Sequence, residues 1–293
     1  MLQANPALLI GSVFLLSLLI GSFLNVVIHR LPIMLDRQWK LQADELLGKE
    51  SAPPAEPYNL VVPRSACPRC GAPIKSHQNI PVVSYLLLGG RCATCKAKIS
   101  PRYPIVELST AILSAAVALR FGWHWQTVAA LMFTWALVAL TVIDLDHQIL
   151  PDVITLPLLW LGLLLSLAWS AGLTPPIPVD PTSAIIGGAA GYVSLWLVYW
   201  AFKLVTGKEG MGYGDFKLFG AFGAWMGWQM LPLIILFSAF AGAVVGIVLI
   251  AVRGRDRNIP IPFGPYLAAA GWIALMWGPQ IVGGYLSYSG LDR

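Results

Sequence analysis

The chain has 293 residues, of which 57% are hydrophobic and 11% charged, and its mean hydropathy is +0.71. Soluble domains carry roughly a quarter of charged residues, so this composition excludes a water-soluble globule and places the chain in a bilayer. The net charge of +5 accompanies no nucleic-acid-binding motif, and no nucleic acid is expected as a partner.

Crossing a hydrocarbon layer of roughly 30 Å takes about 20 apolar residues. Eight stretches are predicted to do so, near residues 7–28, 104–120, 126–145, 153–171, 183–205, 215–228, 230–252 and 263–286. The predicted fold class is therefore an all-α polytopic membrane protein of about eight transmembrane helices. A cytoplasmic zinc-knuckle loop domain separates the first two. The expected division is 1–28, 29–103 and 104–293: first helix, loop domain and seven-helix membrane domain. The sixth span is the weakest. Its core from Leu218 to Trp228 is short and glycine-rich, so a full span and a re-entrant segment both fit. Nothing cationic precedes the first span and no small-residue cleavage site follows Gly21, Ser22 and Phe23, so it is expected to be retained.

Lys and Arg concentrate in cytoplasmic loops. Eleven of the nineteen lie between His29 and Tyr103, and Lys203, Lys208, Lys217, Arg253, Arg255 and Arg257 fall in turns on that same side. Only Arg120 and Arg293 fall opposite. The expected topology has an outer N-terminus, the 29–103 loop inside, and spans alternating thereafter.

Residues 36–66 carry Asp36, Asp44, Glu45, Glu50, Pro53, Pro54 and Pro57, which suits a solvated linker or lid with at most one short helix. Next come Cys67-Pro68-Arg69-Cys70-Gly71 and Cys92-Ala93-Thr94-Cys95-Lys96, holding the four cysteines of the chain with twenty-one residues between the pairs. Each C-x2-C pair presents two thiolates from one turn, so Cys67, Cys70, Cys92 and Cys95 suit a tetrahedral Zn site, with Gly71 helping the backbone to close. Two disulfides or four free thiols are the alternatives. A reducing cytoplasm weighs against disulfides. Four cysteines leave no open position for water, so such a metal is structural.

A charged side chain at the bilayer centre costs at least roughly 2.5–3.5 kcal/mol on insertion scales. Five acids near spans need a reason: Glu107, Asp144, Asp146, Asp152 and Asp215. Asp144 ends the third span, and Pro151 is expected to open the next helix. Asp215 follows Gly210, Gly212 and Gly214, a stretch stripped of side chains that lets an extended peptide or another helix come close. Gly212 and Gly214 are thus candidate substrate-binding positions. On the expected topology Asp144 and Asp215, 71 positions apart, share the cytoplasmic face. Two adjacent carboxylates share a proton, one activating water while the other donates to a scissile carbonyl. Taken singly, either Asp also reads as an N-cap or interfacial carboxylate. Asp146 lies about 200° around the helix from Asp144 and Asp152 adjoins Pro151, so both fit that simpler reading. His147, three residues from Asp144, reads as a polar anchor, and Glu107 as a packing residue.

These residues, with Gly21-Ser22-Phe23-Leu24-Asn25, Arg102-Tyr103-Pro104-Ile105-Val106-Glu107, Gly212 to Asp215 and Pro262-Phe263-Gly264-Pro265-Tyr266, resemble over nearly the whole chain the type IV prepilin leader peptidases. These are membrane aspartyl proteases named after a GxGD motif. The resemblance implies that Asp144 and Asp215 are the catalytic acids, and it is the resemblance that sets Asp146 aside. It implies cleavage of the basic leader of type IV prepilins and pseudopilins on the cytoplasmic side of a bacterial inner membrane. It further implies N-methylation of the new terminus with S-adenosylmethionine, since members with that activity carry the four-cysteine loop. No Gly-rich nucleotide fingerprint follows a predicted strand, so the donor site is unassigned; Gly89 and Gly90 fit either a lining or a plain turn. A peptidase without methyltransferase activity is the nearest alternative. An ion- or proton-coupled transporter is disfavoured by acids at one face and the lack of an internal repeat. A non-catalytic scaffold leaves the glycine frame of Asp215 unexplained.

Overall fold

The computed structural model describes residues 5–49, 57–172, 178–253 and 261–290. The acidic and proline positions at 50–56, and the basic residues at 255, 257 and 293, lie outside them. The described residues are helical apart from loops, turns and two isolated β-bridges, with no strand among them. The chain divides into two compact units, Met1–Gly122 and Trp123–Arg293.

In the first unit, helix α1 (Pro6–Leu46) opens with Pro6 at its first turn and with the Asn5 carboxamide oxygen accepting from the Ala7 and Leu8 amides at 3.1 and 3.3 Å. It runs well beyond the predicted end near residue 28. The segment after His29 is rich in Leu, Arg, Gln, Lys and Ala, which favour helix, and a Lys40–Asp36 pair one turn apart (2.6 Å) adds to this. At 41 residues it is about 60 Å long, so the first part of the expected linker is helix. The short α2 (Val83–Leu87) and α3 (Arg102–Phe121) complete the unit. Ser17, Gly21, Leu24, Asn25 and Ile28 of α1 form a buried stripe, and so do Val106, Thr110, Ala111 and Ser114 of α3. A Cβ at Gly21 would lie 2.7 Å from Glu107 Cα. Small residues of this kind let backbones approach where lipid provides no hydrophobic drive between helices.

The second unit holds α4 (Trp125–His147), α5 (Asp152–Ser170), α6 (Pro181–Thr206), α7 (Tyr213–Met226), α8 (Leu231–Arg253) and α9 (Gly264–Ser289). Every residue of α7 from Leu218 to Met226 is buried. It is clasped by α5, where Leu158 O accepts from Trp225 Nε1 at 2.7 Å, and by α6, where Gly187 and Gly191 meet the backbone at Gly223 and Phe219. Phe133 of α4 packs on Phe222 and Trp225 at centroid distances of 5.6 and 4.8 Å, and Gly271 of α9 on Phe222.

Each of the eight predicted spans is a helix. Among the described residues, six helices are long and apolar enough to cross a membrane: α1, α3, α4, α5, α6 and the segment Trp228–Val252, which covers nearly all of α8. At 14 residues α7 rises only about 21 Å, short of the roughly 30 Å layer. It is a short internal helix, as its glycine content suggested. The 26-residue α9 is long enough and is not among these six. The pattern of spans reflects lipid exposure, and α7 spends its apolar side chains and glycines on protein contacts.

Candidate active site

Asp144 stands in the last turn of α4. Gln148, in the left-handed region at φ 54°, ends the helix by returning its amide to Asp144 O at 2.9 Å. The chain then passes through Leu150 to α5, whose first residue is Asp152, one position later than expected because Pro151 takes the N-cap. Asp215 is the third residue of α7, which begins after Gly212. Both carboxylates are buried, Asp144 at 5% and Asp215 at 6% exposure.

Each acid is held by a backbone amide at a helix start. Gly264 N donates to Asp144 Oδ2 at 3.0 Å, and Gly212 N donates to Asp215 Oδ2 at 3.1 Å. These amides point along the positive ends of α9 and α7, which favours negative charge there. The two carboxylates are near enough to interact electrostatically. Asp215 Oδ1 is buried with no hydrogen-bond partner among the described residues. Burial without a partner is costly for such an oxygen, and it marks the atom at which a water, a proton or a substrate carbonyl would be received.

Leu150 ties the arrangement together. A Cβ on Gly214 would lie 2.6 Å from Leu150 Cβ, and a Cβ on Gly264 would lie 2.6 Å from Asp144 Oδ2 and 3.2 Å from Leu150 Cδ2. Gly214 is therefore bare so that the chain's own Leu150 can seat against the Asp215 turn. Gly212 is different: a Cβ there would meet Asp215 Oδ2 at 3.7 Å, ordinary contact. The preceding loop is held on α6 by Lys203, which donates to Glu209 Oε1 at 2.7 Å and to Tyr199 OH at 3.1 Å. That hydrogen bond holds the Glu209 carboxyl below the ordinary carboxylate range.

Of the other candidate residues, Asp146 and His147 are exposed, and Asp152 pairs with Lys217 at 2.6 Å, joining the start of α5 to α7. Glu107 is buried in the first unit, where its Oε2 accepts from Val82 N at 2.7 Å. Sequence reasoning gave Gly264 and Leu150 no role. The Pro262 to Tyr266 motif was the available signal for Gly264. Nothing marked Leu150.

The four cysteines form the second candidate site. Both knuckles are built alike. Cys67 N donates to Ala72 O at 2.9 Å and Cys92 N to Ala97 O at 2.8 Å, and isolated bridges join Ala66 to Pro73 and Arg91 to Lys98. The turn residue is left-handed in each, Gly71 at φ 69° and Lys96 at φ 57°. All four Sγ atoms lie within 4.8 Å of one another, and Cys67 Sγ and Cys95 Sγ are 3.8 Å apart, which excludes a bond between them. A tetrahedron with Zn–S bonds of about 2.3 Å has edges of about 3.8 Å, so the donor set fits that ion. Amides of Cys95 and Thr94 bring the Cys92 thiol down to about 6, and amides of Cys70 and Arg69 lower Cys67. Such N–H···S contacts favour the thiolate, the ligand form, at these two cysteines; at Cys70 the Ala72 amide acts the same way but is outweighed by the neighbouring thiols and burial, which push it up to about 11.

Residues 15–121 match the bacterial peptidase A24 N-terminal domain, and residues 131–247 match the type IV leader peptidase family. The chain is 56% identical to a prepilin leader peptidase/N-methyltransferase of Pseudomonas aeruginosa over 99% of its length and 97% of that protein. The chain belongs to the type IV leader peptidase family. Members of the same name from Aeromonas salmonicida and Legionella pneumophila are 57% and 45% identical, over 96% and 94% of this chain and 95% and 93% of theirs. No solved structure matches this leader peptidase family member.

Proposed function

We propose that this chain cleaves the leader from type IV prepilins and pseudopilins with Asp144 and Asp215 as the catalytic pair, and then methylates the new N-terminal amine. The observation that carries the peptidase reading is the burial of two carboxylates from segments 71 positions apart whose turns both lie against Leu150, one of them with an unpartnered oxygen. One carboxylate is ionised and takes a proton from a water. The other is protonated and donates to the carbonyl oxygen of the scissile peptide as the water adds. The resulting diol collapses as the leaving nitrogen is protonated by the acid that gained the water's proton, while the other carboxylate takes a proton from one diol hydroxyl, which returns the pair to one proton. The amides of Gly264 and Gly212 hold the outer oxygens during this exchange.

The relatives' names and the four-cysteine loop support the methyltransferase activity, for which the donor is S-adenosylmethionine. It supplies an electrophilic methyl group to the deprotonated amine; no residue of this chain is assigned to it. Zn held by Cys67, Cys70, Cys92 and Cys95 would be structural, because four thiolates fill a tetrahedral ion. The bias of basic residues supports an inner-membrane location with the N-terminus periplasmic and the 29–103 loop and active site cytoplasmic. The domain assignment that goes with this reading is a first transmembrane segment at 1–28, from which α1 continues into a loop domain at 29–103 bearing the Zn site and the methyltransferase region, and a peptidase domain at 104–293.

The test is cleavage of a purified prepilin by wild-type, Asp144→Asn and Asp215→Asn protein in the same bilayer. Each Asn variant is expected to lose at least about a thousandfold in rate, since neither half of the acid–base exchange works alone. Cleavage at the wild-type rate by either variant would overturn the assignment.

A further inference from the structure

The loop between α1 and α3 carries a feature to which the peptidase and methyltransferase readings assign no role. None of the residues of α2 is buried, and Val83, Leu86 and Leu87 are 48%, 69% and 82% exposed. At positions i, i+3 and i+4 they share one face of the helix. A five-residue helix has no stability of its own in water, and adjacent exposed leucines on it mark a contact surface.

Its depth is set by Glu107. Val82, directly before α2, donates its amide to Glu107 Oε2 at 2.7 Å, and Glu107 stands in the second turn of α3, beside Gly21 in the apolar part of α1. Glu107 is about 7.5 Å along the axis from the start of α3, so α2 begins level with the end of a membrane span. Val82 adopts φ 58° and ψ −49° to make this bond, a costly region for a β-branched residue. The chain turns sharply at this level, with the apolar face of α2 uncovered.

Charge points the same way. Residues 57–101 contain six Lys and Arg, all exposed, and no Asp or Glu. Apolar side chains at a membrane boundary beside an acid-free basic surface are the pattern of a segment lying in the headgroup layer of an anionic leaflet.

We infer that α2 is an interfacial anchor: Val83, Leu86 and Leu87 enter the acyl boundary of the bilayer, and Arg91 and its basic neighbours meet the phosphates of anionic lipid. The anchor holds the cysteine knuckles against the membrane surface. It depends on the membrane reading of α1 and α3 and is independent of the Asp144–Asp215 pair.

The full chain, reconstituted in nanodiscs of phosphatidylcholine with or without phosphatidylglycerol, tests it. A photo-cross-linking amino acid at Leu87 is expected to form adducts with lipid. Adducts with polypeptide, or none, would overturn the assignment. Amide exchange over 83–88 is expected to be about tenfold slower with phosphatidylglycerol than without, and to lose that protection in Leu86→Gln/Leu87→Gln protein. The Leu86→Phe/Leu87→Phe variant, which keeps the apolar face, is expected to retain it. Equal exchange in the two lipids, or protection kept by the Gln variant, would also overturn it.

Discussion

Replacing Gly264 by Ala isolates the packing that holds Asp144. The added Cβ would lie 2.6 Å from Asp144 Oδ2, 3.1 Å from its Cγ and 3.2 Å from Leu150 Cδ2. Carbon and oxygen prefer a separation of roughly 3.3 Å or more, so the carboxylate must retreat by about 0.7 Å. The short Asp side chain has few ways to do so. Rotation about χ1 breaks the 3.0 Å bond from Gly264 N, with a cost of about 1.5–3 kcal/mol for a charged acceptor. A displacement of that order in a reacting group lowers turnover by about a hundredfold, while overpacking costs the fold about 1–3 kcal/mol. The assay is steady-state cleavage of a prepilin, with kcat and KM resolved separately and thermal melting as the control for folding. A fall in kcat by about a hundredfold with KM within a few-fold is expected. A folded Gly264→Ala protein with wild-type kcat would refute the claim that this contact positions Asp144.

The two glycines of the GxGD motif are expected to differ. Gly214→Ala should abolish cleavage, because its Cβ would lie 2.6 Å from Leu150 Cβ and 3.1 Å from Leu150 O, whereas Gly212→Ala, with 3.7 Å of room, should stay within about fivefold of wild type in kcat. Rate against pH should be bell-shaped, since the pair works with one proton, and the residual rate of either Asp→Asn protein should lose that two-limbed form. Protein purified without added metal should carry about one equivalent of Zn, and Cys95→Ser should lower this well below half while leaving the Asp pair intact, as read by elemental analysis beside cleavage kinetics. Glu107→Ala removes the acceptor of the Val82 amide, and exchange over residues 82–88 should rise by about tenfold or more in hydrogen-exchange measurements.

Much of the helical plan was readable in the chain. A span must satisfy its backbone internally and be apolar outside, so α3, α4, α5, α6 and α8 announced themselves within a few residues. The cysteine spacing announced the knuckles for a similarly local reason: two donors per tight turn. The continuation of α1 past His29 was missed because acidic and prolyl residues at 36–66 read as a solvated linker, while the local run to Leu46 is made of good helix formers. The brevity and burial of α7 were only half legible. Its glycines signalled close approach, and α6 and α5 supply what approaches.

The sequence by itself determined that the chain is a helical membrane protein, that its cysteines come as two knuckles, and that a few acids sit where acids are costly. These follow from local chemistry: hydropathy, spacing and charge. Local chemistry did not say which acid of α4 is buried; the family pattern pointed to Asp144, and the physical reason lies in tertiary structure. Asp144 and Asp146 are two residues apart on one helix, and periodicity separates their directions without saying which direction faces Asp215. Packing of α9 supplies the answer, because the Gly264 amide 120 positions away can reach Asp144 only where glycine leaves room, and the same packing leaves Asp146 exposed.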